Sequence, residues 1–143
     1  MVAPTVGLGR AVRGVKVYSR QTLSACVPTY GRVELDFEPV PEGAMSTCEF
    51  ACTAHPEPAP EFQQALAQGV LRELAAEDTQ DPEARRGAPV NARVIVRALS
   101  WHWTESCENV FIRLGALAVR EALQCAAEDR EPQLIETRVR LFF

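Results

Sequence analysis

The run Ser100-Trp101-His102-Trp103-Thr104 holds both tryptophans and one of the two histidines of the chain. Indole and imidazole rings in a connecting segment can stack on unpaired bases, and a histidine can donate to phosphate or base edges. The same tryptophans could instead fold back on a sheet edge. A second grouping, Cys48-x3-Cys52-x2-His55, has metal-ligand residue types. A structural zinc site takes four ligands, with closer cysteine spacing. On a strand, Cys48 and Cys52 share one face, here the core face, so buried thiols are the reading adopted. Cys107 beside Glu108 stands at a helix start, where a thiol pKa can fall. It has no neighbouring base, and is read as packing. No phosphate-binding Walker A loop, no G-x-S-x-G elbow and no zincin helix occurs in the sequence. These residues favour binding over bond-making.

Strands and helices must position them. Val15 to Thr22 reads as a strand. Arg32 to Glu38 alternates charged and apolar residues without a break, which predicts a strand with one wet and one buried face. Cys48 to Thr53 is a short third strand. Pro60 opens a helix that carries Phe62, Leu66 and Val70 at helical spacing and fades near Asp78. Val90 to Ala98 alternates again, with Ile95 out of phase. Leu99 to Glu105 and Ser24 to Tyr30 read as loops. A long helix runs from Ser106, its expected N-cap, to Ala127, with Cys107, Phe111, Leu114, Ala118, Ala122 and Cys125 as its buried stripe. Ile135 to Leu141 is the last strand. Residues 1–14, with three glycines, read as a loose lead-in to a domain at 15–143.

The order is β-β-β-α-β-α-β, an α+β fold. Each alternating strand has a single polar face, so one sheet should carry two helices on one face and leave the other in water. Arg32, Glu34, Asp36, Glu38, Arg93, Arg97, Glu136, Arg138 and Arg140 would line the wet face.

The composition sets bounds. The chain has 143 residues, the size of one domain. Its net charge of -4 gives no bulk basic surface for nucleic acid, so an RNA partner would require a local patch or a larger protein to hold the domain in place. No acid precedes Glu34, which suits a basic strand and loop or a mitochondrial transit segment. No apolar run approaches the ~18 residues of a membrane helix. Five cysteines without framework spacing read as reduced thiols in an intracellular compartment. The expected location is cytoplasmic, or mitochondrial if the start is a transit segment, with no membrane partner.

Four blocks of sequence resemble domain IV of elongation factor G-type translational GTPases, in register from Val15 to Phe143. Tyr30-Gly31-Arg32-Val33 with Glu38-Pro39-Val40-Pro41 is similar to that family's second strand and its turn. Gly87-Ala88-Pro89-Val90 is similar to the Gly-x-Pro-Val start of its next strand. Ser100-Trp101-His102, then Ser106, Glu108 and Phe111, resemble its Ser-Tyr-His tip and Ser-Ser-Glu-x-x-Phe helix start. Ala118 to Ala122 and Pro132-Gln133-Leu134-Ile135-Glu136 resemble its Ala-rich helix and Pro-x-Leu-Leu-Glu-Pro segment.

The resemblance implies a ribosomal protein S5 domain 2-like fold and a non-catalytic, tRNA-mimicking domain of a translation factor. Its tip loops would reach the decoding site of the small subunit and touch rRNA and the mRNA-tRNA pair. Ser100, Trp101, His102 and Trp103, with Thr29, Tyr30 and Arg32, are the implied ribosome-contacting tip. GTP hydrolysis would belong to a GTP-binding domain in the same or another chain. No cofactor and no metal is implied. Three departures fit a divergent relative, of the ribosomal protection or recycling kind. Ser24-Ala25-Cys26-Val27-Pro28-Thr29 lacks the family's glycines, Trp103 follows the tip histidine where an acid is usual, and Thr137 replaces a final proline. The alternatives are an enzyme of the same fold, or a protein-interaction domain with no ribosome role.

Overall fold

The computed structural model describes residues 6–19, 30–76, 88–104 and 106–137. In chain order the elements are β1 (Val6–Gly7), β2 (Val12–Ser19), β3 (Gly31–Glu38), β4 (Thr47–Phe50), α1 (Pro60–Ala75), β5 (Val90–Asn91), β6 (Arg93–Ser100), α2 (Glu108–Glu128) and β7 (Ile135–Thr137). Five strands form a mixed sheet in the order β4-β6-β3-β2-β7, and β1 pairs with β5 in a two-stranded parallel sheet. The α+β class and the β-β-β-α-β-α-β order of the main sheet and helices are as the sequence predicts. The β1–β5 pair is an addition.

Alternation builds the core. Val15 and Val17 on β2, Val33, Leu35 and Phe37 on β3, and Val94, Val96 and Leu99 on β6 are buried in one cluster with both helices. The helices pack on each other, α2 also against β2 and β3, and α1 against β4 and β5. Among the described residues, no helix covers the opposite face of the main sheet.

The predicted strand over Val90 to Ala98 divides at Ala92. Val90 and Asn91 pair with Val6 and Gly7, and β6 continues through Ser100. An irregularity opposite Glu34 and Leu35 then skips Arg97, so Ala98 pairs with Glu34 and Leu99 with Val33. The strict alternation therefore misassigned Ala98 as inward, and Leu99 holds that position instead. Ile95 lies on the polar face between Asp36 and Glu49, yet is 5% exposed. Around it Arg93 bonds Glu49 (2.9 Å) and Glu38 (3.1 Å), and Arg97 bonds Asp36 (2.9 Å).

The lead-in is ordered where it is described, against the expectation of a loose 1–14. The Val6 N–H donates to Pro89 O, Leu8 is buried, and Arg10 donates to Cys125 O and Arg130 O at the end of α2. These partners lie 80 to 120 positions away, beyond the reach of local patterning. Ser106 is likewise not the N-cap of α2: Cys107 stands there, without a side-chain capping bond.

At the same end of α2, Arg130 donates twice to the buried Glu121 carboxylate (2.8 and 3.0 Å), which also accepts from the Gln133 N–H at 2.9 Å. Arg130 foremost, then the Gln133 and Cys125 donors, hold the Glu121 carboxyl below its ordinary value against the opposing effect of burial. A folded-state pKa below the unfolded one gives stability that is present above the unfolded value, ~4.3, and lost as pH falls through the folded one. Urea midpoints are expected to hold near neutral pH and fall below about pH 4.3, with a shallower acid fall in Glu121→Gln. Parallel pH profiles of the two proteins would show that Glu121 does not carry the effect.

Candidate functional site

One end of the molecule collects the C-terminal ends of β2, β6 and β7, the start of β3 and the N-termini of both helices. The segment 101–107 joins β6 to α2 there. It is tied down by hydrogen bonds of Trp101 and Ser106 and by packing of the Trp101 ring. The Trp101 N–H donates to His55 O, and its indole Nε1–H donates to Glu57 O, both at 2.9 Å, fixing the connection that leads into α1. The Trp101 ring packs against Phe62, centroids 5.4 Å apart. Ser106 Oγ donates to Tyr30 O (2.8 Å) and accepts from the His102 N–H (2.9 Å), joining this segment to the start of β3.

The expected joint exposure of Trp101, His102 and Trp103 is corrected. Trp101 is 8% exposed and belongs to the core, because its indole N–H finds the Glu57 carbonyl and its ring fills the space beside Phe62. Trp103 is 64% exposed and stands edge-on to Trp101, centroids 4.5 Å apart. His102 is exposed. Its Nδ1 accepts from the Thr104 N–H at 3.3 Å, so in the neutral ring the proton sits on Nε2. Ser100 is half-buried and Arg32 is exposed across the strand pair from it. Tyr30 is half-buried, edge-on to His102 at 6.5 Å and to Tyr18 at 6.1 Å. Thr29 and the Ser24 to Thr29 stretch lie outside the described residues, as do Arg138 and Arg140.

The sequence reading missed Tyr18 and the bridging role of Ser106. Tyr18 falls between the inward Val17 and Ser19, so its place on the open face with Arg32 was readable from the alternation of β2. Ser106 gave no such signal, because its partners come from Tyr30 and His102 rather than from its own helix.

Cys48 and Cys52 are half-buried and pack against the core. Burial foremost, and then the neighbouring Glu49, push the Cys48 thiol up to about 12, and burial also raises Cys52. Among the described residues no group of three or more His, Cys, Asp or Glu is arranged to hold a metal ion. Nor is any described helix long and apolar enough to cross a membrane.

No protein-family profile matches the chain, and no curated protein matches it. The fold is similar to a crystal structure from Thermus thermophilus, of the protein ttk003000868. The TM-score is 0.51 at 22% identity over 82% of this chain. The match spans 17% of the length of that protein. At this identity the likeness defines the class, a small α+β domain with two helices on a mixed sheet.

Proposed function

We propose that the chain is a non-catalytic ribosome-binding domain of a translation factor, whose tip reaches the decoding site of the small subunit. The observation that carries this reading is the turn at 101–104 with Ser106, in which a buried Trp101 and a bonded Ser106 fix a short platform that presents His102 and Trp103 to solvent. A platform ordered before binding loses little entropy when it meets RNA. Trp103 offers a ring for stacking, His102 an imidazole for base or phosphate edges, and Arg32 a cation nearby. The β-β-β-α-β-α-β order and the four blocks of sequence resembling domain IV of elongation factor G add to it. The partners would be rRNA and the mRNA-tRNA pair, with GTP hydrolysis supplied by a GTP-binding domain in the same or another chain. With a net charge of -4, the domain by itself should bind weakly and be sensitive to salt.

The test is co-sedimentation with small ribosomal subunits at low salt. A His102→Ala, Trp103→Ala double variant is expected to bind at least about fivefold more weakly than the wild type, since stacking on one base is worth ~1–3 kcal/mol. Both side chains are exposed, so the fold should survive. Equal sedimentation of the two proteins, or none by the wild type, would remove this reading and leave an interaction domain of another kind.

A further inference from the structure

Beside the tip, the open face of the sheet holds a groove of about 390 Å³ lined by Tyr18, Tyr30, Arg32, Leu134 and Glu136. That volume lies within the ~300–1,000 Å³ of small-ligand sites. Its floor is one transverse row across adjacent strands. Arg32 on β3 pairs with Tyr18 on β2, and Tyr18 pairs with Glu136 on β7. An aromatic ring is thus flanked by a cation on one side and a carboxylate on the other. Leu134 adds an apolar wall and is 62% exposed. Tyr30, edge-on to both Tyr18 and His102, joins the groove to the tip without a break.

Each side chain type has a complement on a nucleotide. The tyrosine rings and Leu134 suit the flat face of a base. Arg32 suits a phosphate. Glu136 selects among bases: an ionised carboxylate only accepts, and it accepts best from two N–H groups side by side. On the Watson–Crick edge only guanine presents two adjacent donors, N1–H and N2–H. Adenine and cytosine set a donor beside an acceptor that would face the carboxylate, and uracil sets its single N–H between two carbonyls.

We propose that this groove is a guanine-selective subsite for one unpaired nucleotide of single-stranded RNA. The base stacks over Tyr18 with its Watson–Crick edge on Glu136, and its phosphate lies toward Arg32. This rests on the RNA-contacting part of the function proposed above and extends it from the tip onto the sheet.

The experiment is fluorescence anisotropy of the whole chain with labelled heptaribonucleotides UUUGUUU, UUUAUUU, UUUCUUU and all-U. The guanine oligomer is expected to bind roughly tenfold more tightly than the other three, the scale of one bidentate base contact. Glu136→Gln, which replaces one acceptor by a donor, is expected to abolish the preference for the guanine oligomer over the other three without weakening those three. Arg32→Gln is expected to weaken all four together and to lower their salt dependence. Melting curves of both variants confirm that each is folded. Equal binding of the four oligomers by the wild type, no binding of any, or a guanine preference intact in folded Glu136→Gln overturns the proposal. Small-subunit sedimentation separates the two readings. A wild type that binds subunits without preferring guanine loses the groove alone. One that prefers guanine but ignores subunits keeps the groove and loses the ribosomal role.

Discussion

Phe111→Ala is expected to remove about 3–5 kcal/mol of stability, the range for deleting a fully buried phenylalanine. Phe111 is 0% exposed in the first turns of α2 and stacks on Phe62 of α1 at 5.0 Å. Phe62 in turn supports Trp101. The ring also lies close beneath Gly31 at the start of β3, where an added Cβ would come within 3.2 Å of it. One side chain thus fastens both helices to the sheet under the tip. Collapse into the vacated space is opposed from every side, so the cost should fall high in the range. A whole domain is worth only ~5–15 kcal/mol, and the variant should be marginal at room temperature. The urea midpoint checks this. A midpoint equal to that of the wild type would contradict the packing described.

Much of this core was legible because buried strands and helices write their faces into the sequence at periods of 2 and 3.6. The alternation of Arg32 to Glu38 set the inward side of β3 at every residue. Phe111, Leu114, Ala118, Ala122 and Cys125 are all buried on α2 as their spacing predicts, whereas Cys107, placed in the same stripe, is half-buried at the N-cap. Periodicity carries no information about an irregularity in pairing, and this is why Leu99, read as loop, holds the inward place that the alternation gave to Ala98. It also says nothing of long-range bonds such as that of Arg10 to Cys125 O, so residues 1–14 looked loose.

The candidate site was legible in its composition and less so in its geometry. Trp-His-Trp marked a connecting segment that does present His102 and Trp103 to solvent, as rare residue types outside any period suggest. Composition could not divide the two indoles. Trp101 and Trp103 differ only in what lies beside them, namely Glu57 O and Phe62 for the first and solvent for the second. Tyr18 and Glu136 carried an ordinary alternation signal, and only the parallel pairing of β2 with β7 brings them together.

Gly69→Ala is expected to lower stability by about 2 kcal/mol or more, although alanine is the better helix former. In an isolated helix the exchange would gain ~1 kcal/mol. Here α1 and α2 meet backbone to backbone. A Cβ on Gly69 would lie 2.0 Å from Ile112 O, and one on Gly115 would lie 2.7 Å from Leu66 O and 2.8 Å from Val70 N. Contacts under 3.0 Å are essentially never seen for real Cβ atoms, and the obstacle is main chain, which cannot rotate away. The helices must separate, drawing Leu66 and Val70 off Leu114 and Ala118 in the shared core. Overpacking of this sort costs ~1–3 kcal/mol and sometimes more, and a backbone clash belongs at the upper end. Gly9→Ala, with nothing within 4 Å of its added Cβ, serves as the neutral comparison. The two crossing glycines should also be coupled. Once one methyl has parted the helices, the second meets less resistance, so Gly69→Ala with Gly115→Ala should cost less than the sum of the singles. Denaturation of the singles, the double and the Gly9→Ala comparison measures this. A Gly69→Ala midpoint at or above the wild type, or strict additivity in the double variant, would mean that the helices do not cross on these two residues.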